Sequence, residues 1–160
     1  MRWPAVPERY QLIDRVKSAE REYYAVAHAV ENHRKAVQTG DVKLPQGTSP
    51  RDLAGAAVQL EPTYLIRVWA EFETALRSFR RFTEKAPDDR IGTKNLIDWA
   101  AGVKQGRAIS EDVRDDVHEV REYRNFLVHE RDDGDPPAKV AIDVARRRLN
   151  TFIRKLPERW

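Results

Sequence analysis

Apolar side chains recur every three or four positions along most of the chain, which is the spacing of α-helices that bury one face. The first stripe has no internal Pro or Gly and comprises Ile13, Val16, Tyr23, Ala27, Val30 and Val37. We expect one long N-terminal helix within residues 1–40. It should end near Thr39 and Gly40, because glycine readily adopts the left-handed conformation that closes a helix.

The middle of the chain predicts two helices separated by a proline. Ser49, Pro50 and Asp52 combine an N-cap hydroxyl, a proline at the first helical position and an acid in the first turn, so a short helix should run to about Leu60. We expect Pro62 to interrupt it. A second long helix follows, with an apolar face formed by Leu65, Val68, Trp69, Phe72, Leu76 and Phe79.

Three shorter helices complete the predicted fold. Thr93 is expected to cap the first of them, with Gly102 closing it, and Ser110 should begin a helix that ends near Val128. The last one is predicted from roughly Ala138 to Leu156. Because no segment alternates with period two, we predict an all-α, up-and-down helical bundle in which residues 1–160 form a single domain.

Composition excludes several kinds of chemistry. The 160 residues are 41% hydrophobic and 34% charged and include no cysteine, which rules out disulfides, thiol nucleophiles and cysteine-ligated metals. Twenty-nine Lys and Arg against 26 Asp and Glu hint at an anionic partner. The start of the chain lacks the apolar core of a signal peptide, and no segment is apolar enough to span a membrane, so we expect a cytoplasmic protein without a membrane partner.

Common enzyme motifs and metal-binding spacings are absent as well. The sequence contains no Gly-rich phosphate loop, GxSxG or HExxH. His28 and His33 lie roughly 140° apart around a helix, and His118 and His129 lie about 16 Å apart along one. We therefore expect no metal site and no cofactor.

The helix that ends in REYRNFLVHE breaks the apolar pattern. Arg124 falls on the stripe that Val113, Val117, Val120 and Leu127 form, and such departures are costly unless the charge is paired or faces a polar cavity. One interpretation is a functional anion-binding arginine. The alternatives are an arginine that reaches past the core to a carboxylate, or a buried ion pair.

A second stripe on the same helix is wholly polar and consists of His118, Glu122, Asn125 and His129. An arginine, an amide and an imidazole at one helix end can bind an anion, orient it and transfer a proton near neutral pH. Glu122 and His118 are candidates for supporting roles, although Glu122 is equally well an ordinary solvated carboxylate. His129 has an alternative role as a cation that stabilises the helix C-terminus.

The run Arg124-Asn125-Phe126-Leu127-Val128-His129 resembles the R-N-x-x-x-H signature of HEPN domains, which are α-helical bundles of prokaryotic toxins, defence nucleases and RNA-processing enzymes. The resemblance extends over roughly residues 60–156. It implies metal-independent RNA cleavage by attack of a 2′-hydroxyl on the adjacent phosphate. His129 would then transfer protons, Arg124 would stabilise the phosphate charge, and Asn125 would orient the phosphate or His129.

The resemblance also implies partners. Two motifs usually meet across a dimer in this family, so activity would require a homodimer, and a toxin would have an antitoxin or another protein partner. The alternative function is a catalytically silent HEPN bundle that binds RNA, a nucleotide or a protein. Two basic clusters are candidates for contacting RNA, with solvated helix faces as the alternative: Arg77, Arg80 and Arg81, and Arg146, Arg147 and Arg148.

Overall fold

The structure is a computed structural model that describes residues 8–84, 90–102, 109–129 and 135–158. Over these ranges the chain forms helices and no strands, which confirms the all-α prediction. The helices are α1 (Arg9–Thr39), α2 (Pro50–Glu84), α3 (Thr93–Ala100), α4 (Glu111–Val128) and α5 (Ile142–Lys155). No helix in the described part of the chain has both the length and the apolarity that a membrane crossing requires.

Helix α2 lies at the centre of the bundle and packs against each of the other four helices. All six residues of its predicted apolar face are buried. The Phe72 ring meets Phe152 of α5 edge-on, with 5.8 Å between the ring centroids. Burying a side chain of this size stabilises the fold by about 1.5–3 kcal/mol. The same core holds Val117 and Val120 of α4, and it therefore fixes the helix that carries the candidate site.

The long N-terminal helix is confirmed, but only its first half joins the core. Its buried residues lie between Leu12 and Glu20, and those of α2 begin at Leu65. The intervening halves of α1 and α2 therefore form a helical hairpin outside the core. Gly40 ends α1 with a φ of 80°, in the left-handed conformation that the sequence predicts.

The predicted interruption at Pro62 is wrong, because α2 is one continuous helix with Pro62 inside it. The missing proline N–H leaves the Val58 carbonyl without its helical donor, but Val58 lies on an exposed face. Tertiary contacts stabilise the helix on both sides of Pro62. Glu61 Oε1 accepts the Ile142 N–H at 3.1 Å, and the Tyr64 ring lies 6.0 Å from that of Tyr23. These contacts offset the cost of the proline.

Two helix starts also differ from prediction. Gly92, not Thr93, is the N-cap of α3, and the Thr93 hydroxyl instead donates to Glu73 Oε1 at 3.2 Å. Helix α5 begins at Ile142, later than the predicted Ala138. Val140 is buried in extended chain just before it, and Glu61 receives the first helical N–H, so packing against α2 determines where α5 begins.

Candidate functional site

Helix α4 carries the candidate site at its C-terminal end. It packs against α2, α3 and α5 and makes no comparable contact with α1. Val117, Val120 and Tyr123 are buried on its inner face and set its rotation. The last turn and the residue after it therefore present Arg124, Asn125 and His129 in defined directions.

Arg124 is half-buried at the edge of the core. Its Nη1 donates a hydrogen bond of 3.1 Å to Asn125 Oδ1. Its Nε is shielded from solvent and has no hydrogen-bond partner in the described ranges. No carboxylate of the described residues forms an ion pair with Arg124. A guanidinium with unused donors is suited to bind an anion.

His129 is the C-cap residue of α4 through its backbone, whose N–H donates to the Asn125 carbonyl at 2.9 Å. The imidazole is exposed, and the described part of the chain offers it no hydrogen bond. The ring is accessible to a ligand, and its position at the C-terminus of α4 is also compatible with the alternative role as a cation there. Arg124, Asn125 and His129 thus lie at the same end of α4, and their action as one site stays a prediction.

The two candidate supporting residues are not part of this cluster. His118 Nε2 lies 2.9 Å from Asp98 Oδ1 on α3, and its Nδ1 is buried without a partner among the described residues. Glu122 is exposed, and within the described chain it contacts Arg121, at 3.4 Å, rather than Asn125 or His129. Of the polar stripe, His118 therefore contacts α3, whereas the described residues of α3 make no such contact with Asn125 or His129.

Arg121 is a residue that sequence inspection missed. Its side chain is only 15% exposed, and its Nε is buried with no hydrogen-bond partner in the described residues. Its place one turn before Arg124 was the available signal. Two guanidiniums with unused donors thus lie on consecutive turns of α4.

The predicted RNA-contacting arginines have a different environment. Arg77 pairs with Glu73 at 2.6 Å, and Arg80 pairs with Glu84 at 2.8 Å and also lies over the Trp99 ring. The three arginines of α5 are paired too, as Arg146 with Glu20, Arg147 with Asp143, and Arg148 with Asp116 and Glu119. Arg81 alone among the six has no ion pair within the described residues. Most of this positive charge is therefore neutralised, and an RNA contact by these clusters stays a prediction.

No three His, Asp or Glu side chains of the described residues converge in a way that would bind a metal ion.

No protein-family model, curated protein sequence or solved structure matches this chain.

Proposed function

We propose that the protein is a metal-independent endoribonuclease whose active site forms between two copies of the chain, and that it acts as a toxin or a defence component. The observation that carries the proposal is the half-buried Arg124 guanidinium, held by Asn125 and without a carboxylate among the described residues, at the same end of α4 as the exposed His129. These are an anion binder and a proton-transfer group in adjacent turns.

The spacing of the two residues supports a site shared between copies. Arg124 and His129 are five positions apart, so their side chains leave α4 in directions that differ by roughly 140°. One helix end does not easily direct both groups at the same phosphorus atom. Two such ends facing each other across a two-fold axis would do so, with the arginine of one protomer opposite the imidazole of its partner.

In the proposed reaction, the 2′-oxygen of a ribose forms a bond to the adjacent phosphorus while the bond from phosphorus to the 5′-oxygen breaks. One His129 accepts the proton of the 2′-hydroxyl, and the second His129 of the dimer donates a proton to the departing 5′-oxygen. Arg124 binds the non-bridging oxygens, where negative charge accumulates. The products are a 2′,3′-cyclic phosphate and a free 5′-hydroxyl.

The test is incubation of the purified protein with mixed RNA in EDTA beside His129→Ala. We expect the wild type to cut RNA and leave cyclic phosphate ends, and the variant to lose about 100- to 10,000-fold in rate, the usual contribution of a proton-transfer group. Cleavage that appears only on addition of a divalent cation would contradict the mechanism. RNA binding without cleavage would favour the silent HEPN-like bundle instead.

The shared site has its own test, because Arg124→Ala and His129→Ala chains can be mixed. A heterodimer has one composite site that lacks an arginine and an imidazole from different chains, so one of each remains. We expect partial recovery of cleavage in the mixture relative to either variant alone. Absence of recovery in a mixture shown to form heterodimers would exclude sharing across the interface.

A further inference from the structure

Arg121 has an environment that a structural arginine rarely has. Its side chain is 85% removed from solvent, since 15% remains exposed, and its Nε is fully shielded with no partner in the described ranges. Its contact with a carboxylate is a 3.4 Å approach of Nη2 to Glu122 Oε1, on the next residue of the helix. Glu122 is 61% exposed and does not reach Nε. The shielded Nε is out of reach of a ligand, but the Nη groups of Arg121 are not fully shielded, and the described residues use them only through the Glu122 contact.

The neighbouring helix α3 supplies an acid to the N-terminal part of α4 and, among the described residues, none to Arg121 or Arg124. Asp98 of α3 pairs with His118 at 2.9 Å and approaches Arg114 at 4.0 Å, which balances the N-terminal part of the α4 stripe. The described residues place no acid of another helix beside Arg121 or Arg124. Glu122 is largely exposed and contacts only Nη2 of Arg121, so a bound anion would add compensation for these partly buried guanidiniums.

Arg121 and Arg124 are one turn apart, and residues with this spacing lie side by side on a helix surface. Asn125 binds Nη1 of Arg124 and holds that guanidinium in place. Two planar guanidiniums with free N–H groups match the oxygens of a phosphate, to which arginine donates paired hydrogen bonds.

We propose that Arg121 and Arg124 together bind one phosphate group of an RNA strand, with Arg121 as a second phosphate-binding residue of the site. The identity of the ligand as RNA rests on the proposed function, and the presence of an anion site rests on the arginine environments alone.

The experiment measures binding without cleavage. The probe is a short fluorescent 2′-O-methyl oligonucleotide, which lacks the attacking hydroxyl, and anisotropy is recorded over a range of salt concentrations. Arg121→Gln, Arg124→Gln and the double variant are compared with the wild type. Arg34→Gln is the matched control, because Arg34 is paired with Glu31 on α1, which does not pack on α4.

We expect Arg121→Gln to weaken binding about tenfold, as loss of a hydrogen bond to a charged group does, and to reduce the salt slope by about 0.7. Arg124→Gln should have a similar effect, and the double variant should add little to either, because the two side chains share one phosphate. Arg34→Gln should bind like the wild type.

Three results would overturn the proposal: wild-type affinity and salt slope in Arg121→Gln, an equal loss in Arg34→Gln, or fully additive losses in the double variant. If Arg121→Gln does not fold, Arg121→Lys takes its place, because it keeps the charge but loses the planar donor pair. An unaltered affinity in Arg121→Lys would then overturn the proposal. Binding as expected together with intact ordinary RNA would contradict the ribonuclease proposal and leave the phosphate site standing.

Discussion

The two halves of helix α4 carry similar polar side chains, but these side chains have different ion-pair and hydrogen-bond partners. In the N-terminal half, Arg114 lies near three carboxylates, those of Asp98, Glu111 and Asp115, and His118 is bound to Asp98 as well. In the C-terminal half, the Nε atoms of Arg121 and Arg124 are buried and have no partner within the described chain. One helix thus contains an arginine surrounded by several acids and two arginines whose buried Nε atoms have no partner in the described residues.

The ion-pair partners of an arginine distinguish a structural residue from a candidate ligand-binding residue better than the residue type does. An arginine paired with several acids connects α4 to its neighbours and has little capacity left for a ligand. An arginine buried without an acid is destabilising until an anion arrives, which is typical of a site selected for binding. The partner environment of each arginine is therefore more informative than its number or position in a basic cluster.

The largest expected effect is the loss of activity in Arg124→Ala, which we compare with Arg114→Ala in the other half of the helix. Arg124→Ala should lower kcat/KM for RNA cleavage in EDTA about 100- to 1000-fold, because a donor to the charged phosphate is lost. Arg114→Ala should retain kcat/KM within about threefold, because Arg114 is occupied by carboxylates and lies far from His129. Cleavage of a fluorescent RNA measures both. Equal losses in two folded variants would contradict the distinction between the halves.

The second prediction removes the acid that compensates the N-terminal half. Asp98→Asn should lower the free energy of unfolding by about 1–2 kcal/mol, since it weakens charged hydrogen bonds to partly buried partners. Urea unfolding measures the change. Asp14→Asn is the control, because Asp14 pairs with Arg21 on an exposed face and should cost less than about 0.5 kcal/mol. Equal effects would show that Asp98 has no special role.

The third prediction supplies an acid to the C-terminal half. Val128 is 42% exposed and lies one turn after Arg124, so Val128→Glu should place a carboxylate near the free guanidinium. We expect about a fivefold loss of affinity for the 2′-O-methyl oligonucleotide, which corresponds to about 1 kcal/mol of competing attraction. Val128→Gln has the same shape without the charge and should bind like the wild type. A loss of the same size in both variants would indicate a steric effect.

The smallest effect concerns the start of α4. The nearby Ser110 side chain lowers the pKa of Asp112 from its ordinary value of 3.8. The carboxylate therefore contributes its stabilisation above pH 3.8, and this contribution is lost as the pH falls through the lower, folded-state pKa. The difference in thermal midpoint between the wild type and Asp112→Asn should be present at pH 6 and shrink toward pH 3. A difference that is constant with pH would contradict the assigned cause.

Much of the fold was predictable because helical periodicity directly reports which face is buried. The stripe from Leu65 to Phe79 lies in the core, and Gly40 ends α1 as expected. The prediction at Pro62 failed, because local propensity does not include the tertiary contacts of Glu61 and Tyr64 that keep α2 continuous. Helix α5 begins at Ile142 instead of the predicted Ala138 for a similar reason, because contacts with α2 determine its start.

The candidate site was predictable only in part. Arg124 was recognisable because a charge on an apolar stripe breaks a local rule, and Asn125 and His129 followed from their spacing. The binding of His118 by Asp98 was not recognisable, since the two residues lie 20 positions apart on different helices. The same holds for Arg146, which pairs with Glu20 across 126 positions and is thereby removed from the supposed basic cluster.

The sequence by itself determined where the helices form, which faces they bury, and that one helix ends in an arginine, an amide and an imidazole, because these depend on local spacing and side-chain type. Only the tertiary structure decided which charges are neutralised. Whether an acid stands opposite a given arginine depends on how α1, α3 and α5 pack against their neighbours, and electrostatic attraction acts through distance in space rather than position in the chain.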